Sequence, residues 1–215
     1  MKKRYCLVVA CGILCLVGTS WAAPIKSYVP VLTGGPVIDF EGLAEGTLIS
    51  TQYPGVTFGQ HDGGTPMIDN SPMLYGYAPS SGVSVLTGST TGGAPYPTVA
   101  GITLTFDSLV GRVQAFFSDT APLGDYTVAA YDTGDALLES LTIFDGDTPP
   151  GLYVGFMRPV ADIAWIQIGP STVLNDAFAI DDVQFGRAVI PAPGAILLGS
   201  IGVSLVGWLR RRKTL

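Results

Sequence analysis

The chain has 215 residues, which leaves room for one domain of ordinary size once its two apolar ends are set aside. Its seventeen acidic residues all lie between Asp39 and Asp182. Only Lys26, Arg112, Arg158 and Arg187 oppose them between the ends, a net of −13 for the body against −6 for the whole chain. Such a body repels phosphate backbones and anionic headgroups, which excludes nucleic-acid binding and electrostatic docking on lipid and leaves cations and neutral sugars as partners.

Residues 1–22 read as a secretory signal peptide: Lys2, Lys3 and Arg4, an apolar run from Tyr5 to Val17, then small residues around Ser20, Trp21 and Ala22. Cleavage after Ala22 puts small residues at both recognition positions and keeps Pro24 off the first mature position. Cleavage after Ala23 would put Trp21 where a small residue is wanted. The run is shorter than the roughly 20 apolar residues that span hydrocarbon, which favours a cleaved signal over an anchor. Cys6, Cys11 and Cys15 all fall within it, so the body has no disulfide and no thiol chemistry. The expected partners of this end are the export translocon and signal peptidase.

Residues 23–188 carry short runs rich in Val, Ile, Phe, Tyr and Thr between Gly, Pro and Ser clusters, and no helical period persists for three turns. The pattern predicts strands at 37–40, 56–58, 83–86, 102–106, 110–117, 126–131, 137–144, 152–157, 163–168 and 178–185. About ten strands in this length predict an all-β, two-sheet sandwich. Ile102, Leu104 and Phe106 share one face and Thr103 and Thr105 the other. Tyr131 to Ala136 reads as a hairpin turn, and Asn70 to Thr98 as a long loop around one short strand.

Few residues in the body point to catalysis. His61 is the single histidine, there is no Gly-x-Ser-x-Gly elbow and no phosphate-binding glycine loop, so no catalytic residue is assigned and the protein reads as non-enzymatic. A two-carboxylate glycosidase needs acids about 5 to 10 Å apart; with Glu41, Glu45 and Glu139 as the only glutamates, that reading stands behind the others. Tyr75, Tyr77 and Tyr96 could offer rings to a sugar from loops, the competing reading being plain loop cover. Trp165 is read as sharing its face with Ile163 and Gln167 and packing into the core. Asp145-Gly146-Asp147 reads as an ordinary acidic turn.

The segments Ile38 to Gly42, Gly55 to Phe58 and Ala179 to Phe185 resemble the frame of secreted jelly-roll domains, which are similar in shape to carbohydrate-binding modules. In a jelly roll the first and last strands lie close. Asp39 and Glu41, two apart on an expected strand, would then meet Asp181 and Asp182 as oxygen ligands of a structural calcium. The competing reading is four solvated carboxylates on an edge. No other cofactor is expected.

Residues 189–215 hold Pro191, Ala192 and Pro193, an uncharged stretch over about 195–209, then Arg210, Arg211, Arg212 and Lys213. The prolines keep the entry extended, the stretch can cross a thin bilayer as a helix, and the basic end stays cytoplasmic, which places the acidic body outside. This tail resembles that of the PEP-CTERM proteins, with Ala192 where the family motif has glutamate. The resemblance implies a bacterial protein read by an exosortase-type processing enzyme, passing through an inner-membrane-anchored intermediate to the cell surface or extracellular matrix, and associated with exopolysaccharide. The reading that follows is an exported envelope or matrix protein, with a carbohydrate-binding module as the alternative.

Overall fold

Alternation of apolar and polar side chains folds the body into two antiparallel sheets. The structure, a computed structural model, describes residues 22–61, 63–71, 78–88, 101–119, 125–144, 151–170 and 178–187. Among these residues there are eleven strands: β1 (Ala23–Ser27), β2 (Val56–Gln60), β3 (Met67–Asp69), β4 (Val85–Thr87), β5 (Ile102–Val110), β6 (Arg112–Ser118), β7 (Tyr126–Tyr131), β8 (Leu137–Ile143), β9 (Leu152–Met157), β10 (Ile163–Pro170) and β11 (Ala179–Gly186). One sheet has the order β1-β9-β6-β11-β4-β3 and the other β2-β5-β10-β7-β8. The all-β, two-sheet expectation holds. No helix among the described residues is long and apolar enough to cross a membrane, and the signal peptide and the tail helix at 195–209 lie outside those residues.

The inner faces meet in one core. Phe58, Leu104, Val128, Ile143 and Ile166 face it from the five-stranded sheet, and Val113, Phe117, Val154, Phe156 and Ile180 from the six-stranded one. Phe117 is fully buried, stacks on Phe178 at 5.4 Å and meets the edge of Tyr126 at 4.9 Å. The chain passes from one sheet to the other at Gly111, between β5 and β6. There the Gly111 N–H donates to the Gly186 carbonyl at 2.9 Å, and the Gly111 carbonyl accepts from Arg158 N–H at 2.7 Å.

Nine of the ten expected strand regions are strands. The exception is Val37 to Phe40, where only Ile38 pairs, exchanging two 2.9 Å backbone bonds with Val183. Phe40 has φ of +57° and turns its ring into the core with no exposure, so the extended backbone needed to put Asp39 and Glu41 on one strand face is broken. Strand β1 escapes the sequence reading because Pro24 sits inside it; as an edge strand pairing only with β9, it tolerates the missing donor. Strand β3 escapes because three residues carry too little pattern.

The asymmetry between the outer faces matters most. On the six-stranded sheet the outward side chains of Met67, Asp69, Val85, Gln114, Ser118 and Asp181 are buried. Chain segments cover them: Val31 and Leu32 N–H groups reach Gln114 Oε1 at 3.0 and 2.8 Å, and the Ala78 N–H reaches Ser118 Oγ at 2.9 Å. On the five-stranded sheet Thr57, Thr103, Thr105, Trp165, Gln167, Tyr131 and Ser140 are partly or fully exposed.

Truncating Phe117 to Ala removes a ring shared by both sheets and their loops. A loss of about 3 to 5 kcal/mol in urea unfolding is expected, with cooperativity retained.

Candidate functional site

Four carboxylates were expected to gather around calcium. The Ile38–Val183 pairing does bring the first and last acidic segments side by side. Each carboxylate, however, is engaged by protein donors, and among the described residues no three His, Cys, Asp or Glu side chains are grouped to hold a metal ion. Asp39 is exposed and accepts from the Glu41 N–H at 3.2 Å. Glu41 Oε1 accepts from the N–H groups of Val83 and Ser84, both at 2.7 Å. Asp181, without exposure, accepts from Ser80 and Ser81 N–H groups at 2.9 and 3.1 Å on one oxygen and from Asp182 N–H at 2.7 Å on the other. Asp182 accepts from the Ser81 hydroxyl at 2.8 Å and the Tyr153 hydroxyl at 3.1 Å, and the Ser80 hydroxyl completes the chain to Tyr153 at 2.6 Å.

These groups clamp the segment 80–84 onto the sheet. Four of its five backbone N–H groups end on carboxylates from elsewhere in the chain, so the acidic closing motif positions a loop. Gly82, at φ of +54°, lies under the Glu41 carboxyl, and a β-carbon there would collide with it. The local reason for the clamp is a bulge in β11: the register slips between Asp181 and Gln184, and Asp182 takes φ of +45°. Asp181 thereby faces outward beneath the loop while Ile180 and Val183 both face the core.

The charges respond accordingly. Burial pushes the Asp181 carboxyl up to about 7, helped by the neighbouring Asp182 charge and opposed by its backbone donors. The Ser84 N–H, with that of Val83, holds Glu41 below the usual carboxylate range. Burial likewise raises Asp69.

The second candidate region is the open face of the five-stranded sheet. Trp165 and Tyr131 are register partners on β10 and β7, and their rings stack 3.9 Å apart at 9°. The indole N–H donates to Asp135 Oδ1 at 2.9 Å, from the β7–β8 hairpin. That hairpin forms as expected: Asp132 Oδ1 accepts from Gly134 and Ala136 N–H groups at 2.8 and 2.9 Å, and Asp135 adopts φ of +60°. Thr105 is the register partner of Trp165 on its other side and pairs in turn with Thr57 on β2. Two residues along lies the row Gly59, Thr103, Gln167, Ala129 and Ser140.

This corrects the placing of Trp165 in the core. The register slips between Ile163 and Trp165, so Ile163 is fully buried with Ile166 and Ile168 while Trp165 and Gln167 face out. The signal was present in the run Trp165-Ile166-Gln167-Ile168, whose alternation sets Trp165 against the two isoleucines; the bulge at Ala164 gave no sign of itself. Tyr131 lay in an expected strand but was assigned no role. Tyr75, Tyr77 and Tyr96, the sorting residues Pro191, Ala192 and Pro193, the basic end Arg210 to Lys213, and Asp145 to Asp147 lie outside the described residues. His61 is exposed just after β2, its N–H on the Gly101 carbonyl at 2.8 Å.

For Asp181 the folded-state value lies above the unfolded one, so its stabilising contribution is complete below about pH 4 and is lost as pH rises toward 7. Asp69 acts in the same direction. The thermal midpoint is therefore expected to fall as pH rises from about 4 to about 7. Asp181→Asn should flatten that slope while lowering the midpoint throughout, because its single oxygen cannot answer both the Ser80 and Ser81 N–H groups and that of Asp182, so its own N–H groups face a donor; an unchanged slope would remove Asp181 as its source.

No protein-family model matches the sequence, and no curated protein matches it. Solved structures do show likeness. The K2 cleaved adhesin domain of Lys-gingipain aligns at 15% identity over 71% of this chain and 97% of its own, with a TM-score of 0.46. A xylan-binding domain of carbohydrate-binding module family 22 aligns at 10% identity over 75% and 99%, with a TM-score of 0.45. The C-terminal family 22 carbohydrate-binding module of Clostridium thermocellum Xyn10B aligns at 12% identity over 73% and 94%, with a TM-score of 0.42. At this level of similarity two β-sandwiches need share neither ancestry nor ligand, and function has to be argued from the site.

Proposed function

We propose that this protein is an exported, non-enzymatic envelope or matrix protein that associates with polysaccharide through the open face of its five-stranded sheet. The observation that carries the reading is the stacked pair Trp165 and Tyr131 standing on a sheet face whose neighbouring positions are Thr57, Gly59, Thr103, Thr105, Gln167, Ala129 and Ser140, with Asp107 and the exposed Leu137 at its margins. Large aromatic rings on a soluble domain are normally buried, and a fixed, partly exposed pair among hydroxyl groups suits a ligand that is itself apolar on its ring faces and polar at its edge. A pyranose has that character. Its C–H groups pack on the negative face of an aromatic ring while its hydroxyls seek donors and acceptors at the rim.

Delivery follows from the ends. The segment 1–22 suits export with cleavage after Ala22, and the tail at 189–215, with its Pro191-Ala192-Pro193 entry and basic end, suits passage through an inner-membrane-anchored intermediate and processing by an exosortase-type enzyme. The body resembles a jelly roll in the pairing of Ile38 with Val183, which joins its first and last segments. Among the described residues, Glu41 and Asp181 are engaged by backbone donors that hold a loop, which suits a binding or scaffolding role.

Two measurements test this. In pull-downs with a panel of insoluble neutral and acidic polysaccharides, the wild-type protein is expected in the pellet with at least one of them, and Trp165→Ala in the supernatant at an unchanged melting temperature. Mass spectrometry of protein recovered from the cell surface and medium is expected to show a chain beginning at Ala23 and lacking the basic end. An intact terminus at Leu215 would sink the processing step.

A further inference from the structure

We infer that the open face takes an uncharged, linear polysaccharide lying along β5, with one sugar ring against the free face of Trp165 and its hydroxyls on Thr105, Thr103 and Gln167; this rests on the polysaccharide reading above. The parallel stack of Trp165 and Tyr131 sets the direction. Register partners on adjacent strands carry side chains that stand off the sheet, so rings stacked at 3.9 Å and 9° form a ridge whose faces look across the strands. Tyr131 covers one face of the indole. The other looks over β5, where Thr105 is short and exposed.

The ridge is therefore a wall and β5 the floor beside it. Along that floor Thr105 and Thr103 lie on one side of the strand, about 6.7 Å apart by strand geometry, with Thr57 and Gly59 as their partners on β2. Gln167 continues the wall after Trp165. Beyond it the floor stays low, because Gly101 and Gly169 approach so closely that a β-carbon on Gly101 would lie 2.7 Å from the Ile168 carbonyl oxygen. A strip that keeps hydroxyls, an amide and low relief over several residues suits a chain of sugars better than a single one. The indole itself is held in place by its bond to Asp135 at 2.9 Å, so little ordering is left for the ligand to impose.

Charge sets the class. None of the four basic residues of the body belongs to β2, β5 or β10. Lys26 reaches the Thr142 carbonyl and lies over the Phe144 ring, Arg158 is paired with Asp162 and Glu139, Arg112 lies beside Gly186 in the other sheet, and Arg187 follows β11. The charges near the floor are carboxylates: Asp107, exposed and on the same side of β5 as Thr105, and Asp135 at the indole. Uronate or sulfate groups laid along this strip would meet like charge and no cation.

The test uses the full-length protein carrying Trp21→Phe and Trp208→Phe, which leaves Trp165 as the single indole, titrated with soluble arabinoxylan, mixed-linkage glucan and galactan as neutral probes and with polygalacturonate and alginate as acidic ones. At least one neutral polymer is expected to shift the Trp165 emission with an affinity indifferent to salt, and the acidic polymers to leave it unchanged. In affinity electrophoresis of the otherwise wild-type chain, Thr105→Val should weaken that binding by about fivefold, the scale of one hydrogen bond. Trp165→Ala should weaken it by ten- to a hundredfold, on the order of an aromatic anchor. Matching thermal melts would show that both variants fold. Salt-sensitive binding of polygalacturonate or alginate overturns the uncharged class and leaves polysaccharide association standing. Neutral-polymer binding indifferent to Trp165→Ala and Thr105→Val overturns the placement along β5. Silence from every polymer overturns both the inference and the reading on which it rests.

Discussion

A carboxylate removed from water must be met by donors or take up a proton, and Asp181 meets this requirement with the backbone of another loop. Much of one side of the molecule follows from that contact. Strand β11 lies between β6 and β4 in the six-stranded sheet, so the bulge that aims Asp181 outward also fixes where segment 80–84 crosses. Glu41 secures the far end of the same segment, and Asp182 with Tyr153 and the two serines closes the gap between them. Beside that segment the outward side chains of Val85, Ala179 and Ser118 are buried, and Ser118 accepts from the Ala78 N–H.

On the opposite sheet Trp165, Gln167 and the threonines of β5 are partly or fully exposed, and no contact among the described residues covers them as segment 80–84 covers Asp181. Its outward residues beside the aromatic ridge reflect this: Thr57, Gly59, Thr103, Thr105, Gln167, Ala129 and Ser140 are small or polar. The two faces thus divide the work of the domain. One is sealed by loops held on carboxylates and contributes stability; the other is kept polar enough to remain soluble and holds two rings in a fixed attitude. The acidic residues serve the first directly, supplying the anchors of its loop.

How much of this could be read in the sequence depended on periodicity. Strand β5 announces itself, because Ile102, Leu104 and Phe106 alternate with Thr103, Thr105 and Asp107, and the same rule places Val113, Ala115 and Phe117 of β6 inward. Where the period of two breaks, the reading failed. Phe40 enters the core from a left-handed conformation that no composition rule foretells, and with it went the expected shared face of Asp39 and Glu41. The bulges near Ala164 and Asp182 each shift the side assignment of their neighbours by one, which moved Trp165 from core to surface and gave Asp181 and Asp182 separate partners. The acidic motifs were visible at once as a pattern. Their purpose was not, because the donors that answer Glu41 and Asp181, chiefly the N–H groups of Ser80, Ser81, Val83 and Ser84, belong to the backbone and leave no trace in residue type.

The passage of the chain at Gly111 carries a mechanical implication. Strand β5 lies between β2 and β10 in the open sheet and continues, across one residue, into β6 at the centre of the sealed sheet. Gly111 is tied at that corner to Gly186 and Arg158, so three chain segments share the joint. Tension applied along β5 is therefore handed to a strand paired on both sides, with β9 and β11, and not to a loop. A domain wired in this way resists being drawn apart along that strand.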